Sequence, residues 1–120
     1  MPSLEPVTVR HVDDFPVQGQ GVFVPVREAL GVSSFGINVE RWPAHSDGHP
    51  EHDEGTTGQE EVYFCLSGSA TLRADGAEYD LRPGVFARVS PGVTRQIVTK
   101  EEPVEVLCLG GVPGGAYPAS

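Results

Sequence analysis

The sequence contains a single lysine, Lys100, and few basic residues in all. Its 120 residues include 8 basic and 17 acidic side chains, which gives a formal net charge of −9. A surface of this charge repels phosphate backbones and anionic lipid headgroups. We therefore exclude nucleic acids and membrane surfaces from the expected partners.

Long apolar segments and cysteines are scarce as well. No window approaches the roughly 18 apolar residues that a transmembrane helix needs. The N-terminus, with Glu5, Asp13 and Asp14 and no apolar run, is unlike a secretory signal, so we expect a cytoplasmic protein. Cys65 and Cys108 both lie in apolar runs, where a cytoplasmic thiol is usually buried and unpaired. We predict that both are reduced core residues.

Glycine and proline, by contrast, are abundant and spread along the chain. The 15 glycines and 11 prolines are typical of short strands joined by turns. A chain of this length fits one domain with one core. We predict a single domain over residues 1–120, with an N-terminal arm and edge strands at 1–33, a barrel at about 35–110 and a tail at 111–120.

Alternating patterns separated by turns predict an all-β fold. In the first long strand, Ile37 and Val39 share one face while Asn38 and Glu40 share the other, which is typical of a half-buried strand. The dipeptide at 75–76, Asp-Gly, favours a two-residue hairpin turn. Turns at intervals of about 8 to 12 residues, without an amphipathic helix, indicate an antiparallel sandwich or small barrel. Seven strands are predicted, at residues 34–42, 61–67, 69–74, 77–81, 85–90, 94–99 and 104–109.

The stretch from His45 to Glu61 is rich in potential metal ligands. It holds three of the four histidines and six carboxylates, and it contains no lysine or arginine. Imidazole and carboxylate together form a ligand set for Zn, Fe, Mn, Ni or Cu. The stretch therefore indicates either a mononuclear metal site or a solvated acidic loop in which the histidines dilute the charge, and composition leaves both open.

Two half-motifs in this sequence resemble those of the cupins. Glu61, six intervening residues and Gly68 are similar to the end of the first cupin motif, and a hairpin follows. Gly84 and the Ser-Pro-Gly run at 90–92 resemble the opening of the second motif. The resemblance covers about residues 35–110. It implies a cupin-type antiparallel β-barrel of the jelly-roll class, commonly a homodimer.

The resemblance also implies a metal site, but an altered one. Metal-binding cupins hold an ion inside the barrel with two histidines, a glutamate and a late histidine. By this match Glu61 is the glutamate and His52 the first histidine, whereas Glu54 and Arg95 replace the other two. His49 or His45 could approach from the loop as a further ligand, and Glu54 could ligate in place of the second histidine. The resemblance therefore implies an altered or weak site for one divalent metal: Zn, Ni, Mn or Fe.

Arg95 shares strand parity with Ile97, so we expect its side chain to point into the barrel. A buried guanidinium needs an anionic partner. The partner is either Glu61 or Glu54, in an internal salt bridge, or the carboxylate of a bound ligand. Tyr63 lies on the face of Glu61 and either donates its hydroxyl to a ligand or belongs to the core.

These observations lead to competing hypotheses of function. The first is a small single-domain cupin that binds a small polar or anionic molecule in the barrel mouth. Its predicted ligand-binding residues are Arg95, Tyr63, Glu61 and Glu54, with His52, Glu61 and His49 as metal ligands. The alternative is a metal-dependent enzyme of dioxygenase or isomerase type that uses His49, His52 and Glu61. A third is a purely structural dimer, and no catalytic residue is assigned.

Overall fold

The computed structural model describes residues 6–19 and 21–114. In this part of the chain no helix is long and apolar enough to cross a membrane. Most of the predicted tail at 111–120 lies outside the described residues. The elements in chain order are a 3₁₀ turn Val12–Asp14, β1 Phe23–Val24, α1 Val26–Leu30, β2 Gly36–Trp42, β3 Glu60–Gly68, β4 Ala70–Ala74, β5 Ala77–Leu81, β6 Phe86–Val89, β7 Arg95–Val98 and β8 Val104–Gly111.

The strands form two antiparallel sheets. One sheet has the order β1-β2-β8-β3-β6 and the other has the order β5-β4-β7. The predicted all-β antiparallel fold is therefore confirmed. The closed barrel is confirmed only in part, because no strand pairing within the described residues joins one sheet to the other.

The turn chemistry explains why the hairpin of β4 and β5 matches its prediction. Asp75 and Gly76 have φ values of 53° and 75°, which are the left-handed values that a tight hairpin turn requires. Ala74 then pairs with Ala77 at the end of the ladder. This hairpin fixes β4, which pairs on its other side with β7.

The main hydrophobic core is built from both sheets. Its fully buried members include Cys65 from β3, Val106 from β8 and Ile97 from β7. Cys108 belongs to the same cluster, and both cysteines are free thiols. The prediction of two reduced core cysteines is confirmed.

Strand β2 is covered on both faces, which differs from the expectation of a half-buried strand. Val39 and Ile37 pack outward in a second apolar cluster with Phe15 and Val24 of the N-terminal arm. The other face carries Glu40, which contacts core residues of β8. The polar face of β2 therefore points into the space between the sheets, because the arm covers the apolar one.

The first described residues carry exposed apolar side chains. Val7 and Val9 are 71% and 78% exposed and belong to no strand. Phe86 on the edge strand β6 is 69% exposed. Exposed apolar side chains of this kind are compatible with the expected homodimer, which stays a prediction.

Candidate functional site

The histidine-rich loop is fixed to β7 by a backbone bridge. The amide of His52 donates to the carbonyl of Arg95 at 3.0 Å, and the amide of Arg95 donates to the carbonyl of His52 at 2.8 Å. This bridge places the His52 ring beside Glu61 of β3. Residues that are distant in sequence thus meet because the loop runs along β7 like a short extra strand.

The orientation of the His52 ring is set by its own loop. Nδ1 lies 2.8 Å from the carbonyl oxygen of Pro50, and since a carbonyl only accepts, Nδ1 carries the proton. In the neutral ring the lone pair is then on Nε2, which lies 3.3 Å from Glu54 Oε1 and 3.7 Å from Glu61 Oε1. A backbone carbonyl that fixes the tautomer in this way is typical of metal-ligating histidines.

His52, Glu54 and Glu61 form the metal cluster. Their ligand atoms all lie within 4.8 Å of one another. Bonds of about 2.0–2.2 Å to a tetrahedral ion place neighbouring ligand atoms about 3.4 Å apart. The nitrogen lies 3.3 and 3.7 Å from the two oxygens, so the donor set fits a divalent ion.

Arg95 is 0% exposed and lies against the metal cluster. Its Nη2 is 3.5 Å from Glu61 Oε1. Its Nη1 and Nη2 donate to the carbonyls of Val93 and Ser90 at 3.0 and 3.5 Å, and its Nε has no hydrogen-bond partner in the described part of the chain. The structure thus brings Arg95 to Glu61 as an internal ion pair.

Tyr63 contacts the same carboxylate. Its buried hydroxyl donates to Glu61 Oε1 at 2.8 Å. Burial raises the pKa of Tyr63 well above its usual value, and the negative charge of Glu61 adds to the rise. Tyr63 is therefore a neutral donor that, together with Arg95, holds the Glu61 carboxylate in place.

His49 lies next to the metal cluster, but its ring nitrogens are engaged elsewhere. Nδ1 accepts a hydrogen bond from the Ile97 amide at 3.2 Å, so Nε2 carries the proton and faces Glu40 Oε1 at 3.6 Å. The side chain is 3% exposed, and burial lowers the pKa of His49 to about 4. The structure thus places Glu54, rather than His49, beside His52 and Glu61.

A second group of side chains, the Glu40 cluster, comprises Glu40, Trp42, His49 and Cys108. Trp42 Nε1 donates to Glu40 Oε1 at 2.9 Å, and Cys108 Sγ donates to Glu40 Oε2 at 3.3 Å. Burial raises the pKa of Glu40, while these two hydrogen bonds oppose the rise. Sequence reasoning missed this cluster. The signal that could have found it is the i, i+2 spacing of Glu40 and Trp42, which places them on one face of β2.

The mouth cleft is a depression of about 610 Å³ beside both clusters. Glu40, His49 and His52 line its polar side. Val22 and Phe23 of the N-terminal segment line its apolar side, together with Trp42, Pro43 and Pro50. A concave surface with apolar walls and a few convergent polar groups is the usual form of a small-molecule site.

The fold and the motifs identify the family. The Cupin domain family matches residues 39–110, and the chain belongs to it. No curated protein matches the sequence.

Several solved structures are similar to this chain. A cupin protein from Bacteroides fragilis is 21% identical with a TM-score of 0.70, over 100% of this chain and 93% of that one. A sugar phosphate isomerase of the cupin superfamily from Silicibacter pomeroyi is 24% identical, with a TM-score of 0.66 over 74% of this chain and 57% of that one. The lyase of DMSP from Ruegeria pomeroyi is 26% identical, with a TM-score of 0.60 over 72% of this chain and 42% of that one. The chain thus spans only about half the length of these two enzymes, and the likenesses support the fold.

Proposed function

We propose that this cupin binds a small polar molecule in the mouth cleft, beside a divalent-metal site formed by the metal cluster. The observation that carries the proposal is the orientation of His52, whose Nε2 faces both carboxylates and is the ligating atom of the neutral ring. The convergence of the three ligand atoms on one point therefore favours a metal site over a loop in which the histidines only dilute charge.

The expected affinity for metal is modest. Three protein ligands are available, and one of them, Glu61, also interacts with Arg95 and Tyr63. The positive charge of Arg95 repels a cation, and its Nη2 contacts the same Glu61 oxygen that a metal would use. A metal must therefore share Glu61 with the ion pair, which is the physical basis of the weak site that we propose.

A bound divalent ion would polarise an oxygen of the molecule in the cleft. The residues of this chain would do the rest. Pro50 orients His52, Tyr63 and Arg95 hold the Glu61 carboxylate in place, and the apolar walls exclude water from one side of the molecule.

A metal-dependent enzyme is the second candidate function, supported by the three potential ligands of the metal cluster, since catalytic metal sites commonly have three protein ligands. Such an enzyme would use His52 and Glu61, with Glu54 as the third ligand instead of His49. The similarity to an isomerase and a lyase is compatible with this candidate. A negatively charged ligand has less support, since neither lysine nor arginine is among the cleft-lining residues in the described chain.

Calorimetric titration of the metal-free protein with Zn²⁺, Ni²⁺ and Mn²⁺ tests the metal site. We expect His52→Ala and Glu54→Gln each to lower the affinity for the preferred ion by about 10-fold or more, equivalent to about 1.4 kcal/mol. The reason is that each change removes one of only three ligands.

The matched control is Glu51→Gln, which removes the same charge from an exposed residue of the same loop. We expect the control to change the affinity by less than about 2-fold, because an exposed charge is largely screened. Equal affinities for the parent, His52→Ala and Glu54→Gln would refute the proposed site.

A further inference from the structure

In the described part of the chain, Glu40 has no arginine or lysine partner, a feature that it shares with Glu54 of the metal cluster but not with Glu61 or Glu105. Glu61 pairs with Arg95, and Glu105 pairs with Arg41 at 2.7 Å. In the described part of the chain, the basic side chain that lies within 4.0 Å of the Glu40 carboxylate is His49, whose Nε2 is 3.6 Å from Oε1. Because burial keeps His49 neutral, Glu40 lacks a positively charged neighbour in direct contact.

The hydrogen bonds of Glu40 arrange its carboxylate as an acceptor. Trp42 and Cys108 donate to its two oxygens, and the side chain is 17% exposed. Its accessible part lines the mouth cleft. A carboxylate that is largely desolvated and not paired with a cation is costly. A ligand cation that enters the cleft would offset this cost.

The remaining lining of the cleft matches a cation with an apolar body. Val22 and Phe23 supply apolar surface, and the indole of Trp42 lies next to Glu40. Trp42 adds aromatic surface to the same cleft, which suits a ligand with an apolar or aromatic body. The residues that line the cleft include no lysine or arginine that would repel a cation.

We propose that the mouth cleft takes a small molecule with a primary ammonium group and an apolar or aromatic body. The ammonium pairs with Glu40, and the body lies against Trp42 and Phe23. This assignment rests on the proposed function, since it takes the mouth cleft to be the binding site. It names the charge of the ligand, which is positive, where the sequence led us to expect a neutral polar or anionic molecule.

Three probes with the same ring but different charge test the assignment: benzylamine, benzyl alcohol and benzoate. Trp42 is the sole tryptophan of the chain and lines the cleft, so its fluorescence reports occupancy directly. At about pH 8, where carboxyl groups are ionised and alkyl amines are protonated, we expect benzylamine to bind about 10-fold more tightly than either other probe. The assignment would be overturned, before any variant is made, if the three probes bound with equal affinity, if benzoate bound most tightly, or if benzylamine did not saturate the protein.

Variants then identify the carboxylate and separate this inference from the metal site. Calorimetry should show that Glu40→Gln loses the preference for benzylamine, while Glu28→Gln, the same charge change at an exposed residue of α1, keeps it. Glu54→Gln should lose metal binding yet keep the benzylamine preference, because Glu54 is not among the residues that line the cleft. A benzylamine preference that survives Glu40→Gln would refute the role of Glu40. Failure of metal binding alone would leave the ammonium site intact.

Discussion

Glu61 and Glu40 face the same interior from β3 and β2, yet the protein stabilises their charges in different ways. Glu61 has a cation, Arg95, and a neutral donor, Tyr63. Glu40 has neutral donors, the indole of Trp42 and the thiol of Cys108. Each carboxylate also has a histidine within 4.0 Å, but with opposite tautomers. His52 presents a lone pair to Glu61, whereas the N–H of the other histidine faces Glu40.

This difference explains why one carboxylate is suited to a metal and the other to an organic cation. A lone pair next to two carboxylates makes a binding point for an ion that all three can ligate. Beside Glu40, the imidazole of His49 and the indole of Trp42 both present N–H groups, so neither ring offers a lone pair to a metal. Glu40 therefore offers a bound cation only the negative charge of its carboxylate. The loop backbone determines which histidine takes which role, since the bonds that fix both tautomers are made to backbone groups of Pro50 and Ile97.

The strongest way to break the comparison is to remove the cation from the Glu61 side. Arg95→Met leaves Glu61 in a largely buried position without its counter-charge, so that both sites become carboxylates with neutral donors. We expect a loss of about 3–5 kcal/mol in the free energy of unfolding, the cost typical of removing one partner from a buried pair. Urea denaturation of parent and variant measures it.

The control for this change is Arg88→Met. Arg88 pairs with Glu60 at 2.6 Å, but its side chain is 60% exposed. An exposed pair contributes at most about 1 kcal/mol, so the control should lose far less stability. If the two variants were equally stable, the buried ion pair would not be what separates Glu61 from Glu40.

A second way to sharpen the comparison uses the pH dependence of His49. Burial lowers its pKa from 6.5 to about 4 in the folded protein, so the unfolded chain takes up a proton at a higher pH than the folded one. Above pH 6.5 this histidine costs nothing, and as the pH falls from about 6.5 to about 4 it destabilises the fold by up to about 3 kcal/mol. We expect His49→Asn to remove this loss, because its amide oxygen can still accept from the Ile97 amide.

Urea denaturation midpoints at about pH 7 and pH 5 test this expectation. The parent should lose more stability on acidification than His49→Asn, by about 2 kcal/mol near pH 5. His11→Asn is the matched control at a side chain that is 68% exposed, and it should follow the parent. Parallel pH profiles for all three proteins would show that His49 is protonated as easily in the folded state as in the unfolded one.

Local patterns were sufficient to predict most of the fold. The Asp75-Gly76 turn was predicted because its φ values are a property of two adjacent residues. The inward orientation of Arg95 followed from its parity with Ile97, since side chains alternate along a strand. In both cases the information lies within a few residues of the feature.

The parts of the site that the sequence did not predict depend on contacts between distant segments. Which face of β2 is interior is decided by the N-terminal arm, which covers Val39 and leaves Glu40 inside. Which loop residue joins His52 and Glu61 is decided by the backbone bridge between His52 and Arg95. No local pattern contains either fact, so the sequence left His49 and Glu54 both open as ligands.

The smallest expected effect changes one donor of Glu40. Burial raises the pKa of the Cys108 thiol, which therefore remains a protonated, weak donor to Glu40 Oε2. Cys108→Ser puts a stronger O–H donor in the same place, and a stronger hydrogen bond to the ionised form lowers a carboxyl pKa. We expect the pKa of Glu40 to fall, with a change in the free energy of unfolding within about 1 kcal/mol because burial of the hydroxyl offsets the better bond. The NMR shift of the side-chain carboxyl carbon of Glu40, followed against pH, measures this change in pKa.

Cys65→Ser is the control, since the Cys65 thiol faces the carbonyls of Ser67 and Gly68 and no carboxylate. An unchanged titration of Glu40 in Cys108→Ser would mean that the thiol does not contribute to its stabilisation, and Trp42 would then be the main donor that separates Glu40 from Glu61.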